Sequence, residues 1–311
     1  MYFPYLRGRQ FELIALRELA DNSLLSEHII PIIEPVKLSS TLTSTINSFS
    51  KADKSISIIG NPKVGSLFLD AKKDEANIKM NKLKDSMKDK HIIKALLIDS
   101  KAKNHVNHWV EGGTNAKDII ALCLDRDAIP YLEEAFNVAP LYNVIPYEPA
   151  FRRIREHRIL IDDKFTKQDR NNDYANNDDE FFSDDHLFCF DDGYLGFSDY
   201  SIVGDEYRES GFAPYAVAIH IVYFDSIDMS LRVKHFVSDS NEDISDPANK
   251  FYEAVTKLVL WNKAKKLNTF GIRRLTELHD TGAYPGLGVV KKLSIMHHLE
   301  LMGKYLDGIR K

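Results

Sequence analysis

Short apolar runs rich in Ile, Leu and Val recur along the first half of the chain, with starts about 27 to 36 residues apart. The runs are residues 2–6, 29–34, 56–61, 92–99 and 119–125. The stretches between them have helical periodicity, as in 11–19, where the apolar side chains fall on one stripe. Parallel strands need crossovers of a dozen or more residues and read as continuous apolar runs, because both of their faces are covered. The pattern therefore predicts repeated βα units.

Two further runs, at 141–145 and 158–162, bring the number of predicted strands to about seven. That number favours a closed barrel over an open sheet, with the eighth strand coming from later in the chain. The predicted fold class is α/β, with a (β/α) barrel-like body of the TIM type. Residues 29–33, 56–59 and 92–98 are predicted to be adjacent parallel strands, because each pair is joined by a segment long enough for a right-handed helical crossover.

The character of the sequence changes after residue 163. Residues 162–185 contain eight Asp and four Asn and have no apolar periodicity, which predicts a solvated, mobile acidic insertion at 164–186. Alternating aromatic and β-branched segments follow, and then three helix-like stretches. We predict a single domain over 1–311, in which 187–311 form an antiparallel β and helical portion. A break into two domains near residue 180 is the alternative.

Two groups of polar side chains resemble cation sites without meeting the full requirements of one. From Asp169 to Glu180 the insertion carries oxygen side chains at the spacing of a calcium-binding EF-hand loop, but Tyr174 stands where such a loop needs glycine. A solvated loop is therefore preferred there to a cation site. His297 and His298 are adjacent on a predicted helix and point about 100° apart, so they are not expected to share one metal ion.

Composition narrows the class of protein. Of the 311 residues, 44% are hydrophobic and 11% are aromatic, which excludes a disordered chain. The net charge of −5 argues against non-specific binding to nucleic acid. No apolar run approaches a membrane span and the N-terminus lacks a signal-peptide pattern, so we expect a cytoplasmic protein with no membrane partner. Cys123 and Cys189 are flanked by apolar residues and are expected to be buried thiols.

Polar residues follow the apolar runs, and in a parallel barrel these strand ends converge on the face where barrel enzymes keep their catalytic groups. Several carboxylates gathered there would suit Mg²⁺ or Mn²⁺, and basic side chains would suit phosphate. The candidate metal ligands are Glu34, Asp99 and Asp162. The candidate phosphate or cofactor-binding residues are Arg7, Arg9, Lys63 and Arg126. The alternative is that strand ends are polar in every soluble barrel.

Four residues are the candidate catalytic groups. Asp162 is the first choice, because an apolar strand fixes its position and because Asp163 must point to the opposite side. Asp199 is the second, since nearby glycines allow close approach of a substrate. Glu148 is a further candidate acid or base, and His220 could protonate a leaving group.

Several segments of the chain resemble a sparsely characterised bacterial family that is distantly related to the phage-type "beta protein" family. The segments are YFPYLRGRQFEL at 2–13, PIIEP at 31–35, LIDDKF at 160–165, GFSDY at 196–200, HFVSD at 235–239 and PGLG at 285–288. The resemblance implies an accessory gene of mobile elements or defence islands, beside a companion gene of nuclease-like character. It implies a role in conflict with phage or plasmids, and it supplies no catalytic residues.

Two hypotheses follow. The first is a metal-dependent hydrolase acting on a phosphorylated substrate, such as a phosphodiester or a nucleotide. The second is a non-catalytic binding partner or scaffold for a companion nuclease-like effector in antiphage defence. Carboxylates clustered around a cavity would favour the enzyme, and carboxylates tied up in pairs with Arg would favour the partner. The basic run Arg152, Arg153 and Arg155 could contact the phosphates of a nucleotide or nucleic acid, or could form an ordinary exposed face.

Overall fold

The computed structural model describes residues 1–72, 76–209 and 214–309. Its body is an eight-stranded parallel sheet in which the strands follow one another in chain order. The strands are β1 Tyr5–Leu6, β2 Ile32–Ile33, β3 Ile56–Ile59, β4 Ile92–Leu97, β5 Ile120–Leu122, β6 Tyr142–Pro146, β7 Arg158–Asp162 and β9 Gly196–Asp199. A parallel bridge between Tyr2 and Phe197 joins the two edges, so the sheet is nearly closed into a barrel. The predicted barrel-like α/β fold is confirmed.

The predicted pairing of the early strands is also confirmed. β2 pairs with β3 in parallel, and β3 pairs with β4 in parallel. The eighth strand comes from beyond the acidic segment, as expected, and β9 pairs in parallel with β7.

Helices lie between the strands of the barrel and continue in the C-terminal part of the chain. They are α1 Gln10–Asp21, α2 Ser40–Lys51, α3 Leu67–Asp70, α4 Ala76–Ser86, α5 Ala102–Glu111, α6 Ile129–Ala135, α7 Asp185–Phe188, α8 Pro247–Lys265, α9 Phe270–Thr281 and α10 Leu287–Ile309. Short 3₁₀ helices span Ala116–Asp118, Arg126–Ala128, Pro149–Arg153 and Asn171–Asn177. The connection between β6 and β7 holds only the 3₁₀ helix Pro149–Arg153. None of the helices in the described ranges is both long and apolar enough to cross a membrane.

Strand residues alternate between two apolar cores. Tyr5, Ile32, Ile59, Leu97 and Ile161 belong to the smaller core, which fills the inside of the barrel. Their neighbours along the strands belong to the larger core, which packs the outside of the barrel against the helices. This alternation decides which strand-end side chains reach the mouth of the barrel.

The expected solvated insertion is wrong for its central part. After the 3₁₀ helix Asn171–Asn177, strand β8 Asp179–Ser183 pairs antiparallel with β11 Leu231–Val237, which pairs with β10 Ala218–Phe224. Tyr174 and Phe182 are buried, and these two apolar rings supply the packing that the acidic composition conceals.

The acidic side chains of this segment find partners that stand far away in the sequence. Asp179 pairs with Arg232 at 2.8 Å and Asp178 with Lys234 at 2.8 Å, both on the neighbouring strand β11. Such cross-strand pairs of opposite charge stabilise an antiparallel sheet. They allow a run of carboxylates to form an ordered strand.

The two cysteines are free and buried, as expected. Burial raises the pKa of the Cys123 thiol to about 12 and that of Cys189 to about 11. Both therefore remain thiols at neutral pH and lack the nucleophilic thiolate form.

Candidate functional site

The mouth of the barrel is charged, but its charges are paired with one another. Glu34 is fully buried, and its Oε2 accepts hydrogen bonds from the Tyr5 hydroxyl at 2.7 Å and from the Arg7 guanidinium. Its Oε1 accepts from the backbone N–H of Lys63 at 2.7 Å. The Arg7 guanidinium also lies 5.6 Å from the centre of the Tyr200 ring. Glu34 and Arg7 thus form an internal ion pair, and Lys63 contributes its backbone there rather than its ammonium group.

Asp162, the first choice for catalysis, points away from the mouth. It lies two residues after the outward-facing Leu160 and therefore points the same way. Its side chain is 57% exposed and pairs with Lys164 at 2.9 Å. Lys164 also pairs with Asp185 at 3.0 Å. Asp163 is the carboxylate that shares the inward phase of Ile161.

Asp163 belongs to the electrostatic cluster of the mouth. Its Oδ2 accepts a hydrogen bond from the backbone N–H of Asp205 at 2.9 Å. Burial and the nearby charge of Asp205 raise the pKa of Asp163. Burial is the main cause that raises the pKa of Tyr200. The negative charges of Asp163 and Glu34 act in the same direction, and the positive charge of Arg7 opposes them.

Asp199 is a buried structural group. Its Oδ1 accepts hydrogen bonds from the Tyr2 hydroxyl and from the backbone N–H of Ser201, both at 2.7 Å. Burial raises its pKa to about 6, against the effect of these hydrogen bonds. Ser201 in turn lies 2.9 Å from Nδ1 of His298, which continues the buried network toward α10.

The remaining candidates are dispersed. Asp99 accepts a hydrogen bond from the backbone N–H of Lys101, and Arg126 is exposed. The Arg9 guanidinium donates to the carbonyl of Arg208, and Glu148 lies in a separate cleft beside β6. Glu34, Asp99 and Asp162 are not brought together. Within the ranges that the structure describes, no group of three His, Cys, Asp or Glu side chains could hold a metal ion, so the predicted site does not fit Mg²⁺ or Mn²⁺.

A cavity of about 300 Å³ lies beside the mouth, between the loops that follow β7 and β9 and the elements β10 and α10. We call it the His220 cavity. Its polar and aromatic lining includes Lys167, Tyr174, Arg208, His220 and Lys291. It therefore combines a candidate catalytic residue with three basic side chains that come from separate parts of the chain.

His220 is held by a chain of two further side chains. It stands opposite His235 in the register of β10 and β11, and the two Nδ1 atoms are 2.8 Å apart. Nε2 of His235 lies 3.3 Å from Oε1 of Glu180 on β8. The rings of Phe165 and Tyr174 pack edge-on against His220. We call these three polar side chains the Glu180–His235–His220 relay.

The hydrogen bonds of the relay assign its tautomers. An ionised carboxylate only accepts, so His235 donates from Nε2–H to Glu180 and its Nδ1 must accept. His220 then donates from Nδ1–H, which leaves the lone pair on its Nε2. That nitrogen is the one free to act in the cavity that His220 lines.

Burial lowers the pKa of His220 well below its ordinary value, and the charges of His235 and Lys291 act in the same direction. Burial also lowers the pKa of His235, although Glu180 opposes this shift. His220 is therefore neutral at pH 7 and can accept a proton.

Three basic side chains line the cavity, and two of them, Lys167 and Arg208, pair with the carboxylate of Glu206. The ammonium group of Lys291 lies 3.9 Å from Oε1 of Glu12, which is beyond hydrogen-bonding distance. Burial lowers the pKa of Lys291, although the charge of Glu12 opposes this shift. The lining carries three basic side chains and one carboxylate, an excess of positive charge that favours the binding of an anion.

Of the relay and the three basic side chains that line the His220 cavity, the sequence predicted only His220. Glu180 and Lys291 were missed because neither stands at a barrel strand end. Comparison of the chain with protein-family models, curated proteins and solved structures found no match. The function therefore has to be argued from the site itself.

Proposed function

We propose that the protein is a hydrolase of a small phosphorylated substrate that binds in the His220 cavity. The observation that carries the proposal is the Glu180–His235–His220 relay, which ends at a cavity that three basic side chains also line. A neutral imidazole fixed in one tautomer suits general base catalysis, and a group of cations suits a phosphoryl group.

In the proposed reaction, Lys291 and Arg208 bind the phosphoryl oxygens. Nε2 of His220 accepts a proton from a water molecule as the water oxygen forms a bond to phosphorus. The bond between phosphorus and the leaving oxygen breaks, and the imidazolium of His220 returns the proton to that oxygen. His235 and Glu180 are positioning residues, because they hold the tautomer and stabilise the imidazolium charge.

The test is the hydrolysis of p-nitrophenyl phosphate and bis(p-nitrophenyl) phosphate by the full chain, with Mg²⁺, with Mn²⁺ and with a chelator. We expect His220→Ala to lower kcat by about 10²- to 10⁴-fold, the usual contribution of a general base. Lys291→Met should raise KM more than it lowers kcat, since a phosphate-binding cation acts on the bound substrate. His108→Ala, at an exposed position on α5, is the matched control.

Full activity of His220→Ala would refute this assignment. Loss of activity together with a large fall in Tm would call for Glu180→Gln, which preserves the volume of the carboxylate. In that variant an intact fold with a reduced kcat would support the relay, and unchanged kcat would refute it.

A second candidate is the non-catalytic partner of a nuclease-like effector in antiphage defence. The observation that favours it is the pairing of strand-end acids with internal cations, as in Glu34 with Arg7 and Asp162 with Lys164. The partner should co-purify with the product of a neighbouring gene, and charge reversal at Arg152 and Arg155 should weaken that complex. His220→Ala distinguishes the two candidates: it abolishes protection by an enzyme and leaves protection by a partner intact.

A further inference from the structure

A second concave site lies on the outside of the barrel, where no α-helix lies between β6 and β7. The cleft has a volume of about 230 Å³ and is lined by Tyr147, Tyr194, Arg158 and Arg152 among others. We call it the Tyr147 cleft. Because β6 and β7 are joined only by a 3₁₀ helix, an open groove lies between the residues that follow β6 and Arg158 at the start of β7.

One side of the cleft is formed by a buried ring, Tyr194, that is held in place by Arg158. Tyr194 is buried, and the Arg158 guanidinium lies 4.4 Å from the centre of its ring. Nη2 of Arg158 donates to the carbonyl oxygens of Asp192 and Gly193, while its buried Nε has no hydrogen-bond partner within the described ranges. These contacts fix Tyr194 and Arg158 in place.

Tyr147 supplies the other side of the cleft. Its ring is 68% exposed, with a centre 6.5 Å from that of Tyr194. A large ring presented to solvent beside a fixed aromatic wall is the arrangement by which proteins stack an unpaired base.

Basic side chains border the cleft, although the whole chain carries a net charge of −5. Arg152 and Arg155 are exposed on the segment that follows the cleft, whereas Arg153 pairs with Glu133 at 2.8 Å. Two carboxylates, Glu148 and Asp192, also line the cleft. Arg152 places an exposed guanidinium group beside the two rings, and Arg155 follows it three residues later, so the pair complements a phosphate backbone.

We propose that the Tyr147 cleft binds one unpaired base of a single-stranded nucleic acid, with Tyr147 stacking on the base and Arg152 and Arg155 contacting the flanking phosphates. The volume supports this division, because about 230 Å³ is below the roughly 300–1,000 Å³ of pockets that enclose a whole small ligand. One base fits inside, and the backbone runs outside along the arginines. This inference does not rest on the proposed hydrolase.

The test is fluorescence anisotropy of the full chain with labelled oligo(dT) and oligo(U) of about 12 nucleotides, a length typical of single-strand sites. Tyr147→Ala should weaken binding by about 5- to 150-fold, the range for loss of one stacked base. Tyr147→Phe keeps the ring and should bind as the wild type does. Tyr252→Ala is the matched control, because Tyr252 is a partly exposed ring on α8.

Salt dependence tests the arginines separately. In log–log plots between about 50 and 200 mM KCl, Arg152→Glu combined with Arg155→Glu should reduce the slope by about 1.4, since each single-strand phosphate contact contributes about 0.7. The control reversal, Lys82→Glu with Lys84→Glu, lies on the exposed side of α4 and should leave the slope unchanged.

Three results would overturn the proposal. The wild type could bind neither oligonucleotide at about 50 mM KCl, the lower end of the salt range, which would leave the cleft to a protein partner. Tyr147→Ala could bind as tightly as the wild type. A duplex of the same sequence could bind equally well, which would reduce the interaction to non-specific charge attraction.

Discussion

Acidification should destabilise this fold through two neighbouring histidines on α10. His297 and His298 are both fully buried. His297 donates from Nε2 to the carbonyl of Val222 at 2.6 Å and accepts at Nδ1 from the Thr269 hydroxyl at 2.7 Å. Among the residues that the structure describes, none forms a hydrogen bond with the buried Nε2 of His298. Both environments suit a neutral imidazole, and burial lowers the pKa of His297 to about 4 and that of His298 to about 3.

The direction of the change in stability follows from proton binding. In the unfolded chain a histidine has a pKa of about 6.5, so below that pH the unfolded state binds protons that the folded state does not. The free energy of unfolding therefore falls as the pH falls through about 6.5. Between pH 7 and 5 each of the two histidines should lower it by about 2 kcal/mol.

Asp199 opposes part of this effect. Its pKa of about 6 in the folded state exceeds the ordinary value, so the folded state gains a proton there as the pH falls from 7 to 5. That gain amounts to about 1 kcal/mol. From these three groups the expected net loss between pH 7 and 5 is about 2–3 kcal/mol.

The assay is guanidinium denaturation at the two pH values, followed by the fluorescence of Trp109 and Trp261. In His298→Asn the side chain no longer titrates, so its loss of stability between pH 7 and 5 should be smaller than that of the wild type by about 2 kcal/mol. His108→Asn, an exposed replacement on α5, should not alter the loss. Equal losses in His298→Asn and the wild type would refute the reasoning, because His298 would then be protonated in the folded state as readily as in the unfolded chain.

Two further outcomes are expected. In the pH profile of kcat/KM, the acid limb due to His220 should lie below pH 6.5, since burial and the charges of His235 and Lys291 all lower its pKa. A limb above that pH in steady-state assays would contradict a neutral His220 at pH 7. Glu34→Gln should lower the free energy of unfolding by about 3–5 kcal/mol, because the Arg7 guanidinium then lacks its buried counter-charge. Denaturation curves are the measurement. A variant as stable as the wild type would show that the ion pair is not stabilising.

The sequence predicts the barrel well because its strands are long-range repeats of one simple pattern. It does not predict which side of a strand faces inward, because a strand covered on both faces is apolar at every position. In the run Ile159, Leu160 and Ile161 nothing distinguishes the two phases. The sequence therefore shows that Asp162 and Asp163 point in opposite directions. It does not show that Asp163, rather than Asp162, faces the mouth of the barrel.

The pairing of charges at the mouth was hidden for a different reason. Arg7 and Glu34 both qualify as active-site residues when each is considered alone. They neutralise each other because β1 and β2 are adjacent, a consequence of the fold rather than of either residue. The carboxylate count at strand ends therefore overstated the charge available for a metal.

Part of the relay could have been derived from the sequence. The alternating segments on either side of the loop at 225–230 predict a hairpin, and His220 and His235 stand five residues before and after that loop. Continuing the pairing outward places the two imidazoles opposite each other, as the structure has them. Glu180 was not predictable in this way, since β8 lies in a segment whose composition indicates a loop.

The relay and the basic side chains of the His220 cavity depend on the packing of the second half of the chain against the barrel. The loop after β7 supplies Lys167, and the loop after β9 supplies Arg208. The base comes from β10 and Lys291 from α10, which packs against both β10 and α1. The barrel alone would carry a mouth of paired charges, and the antiparallel sheet alone would carry a histidine without a phosphate site. The proposed chemistry therefore requires both parts, because it belongs to the contact between them.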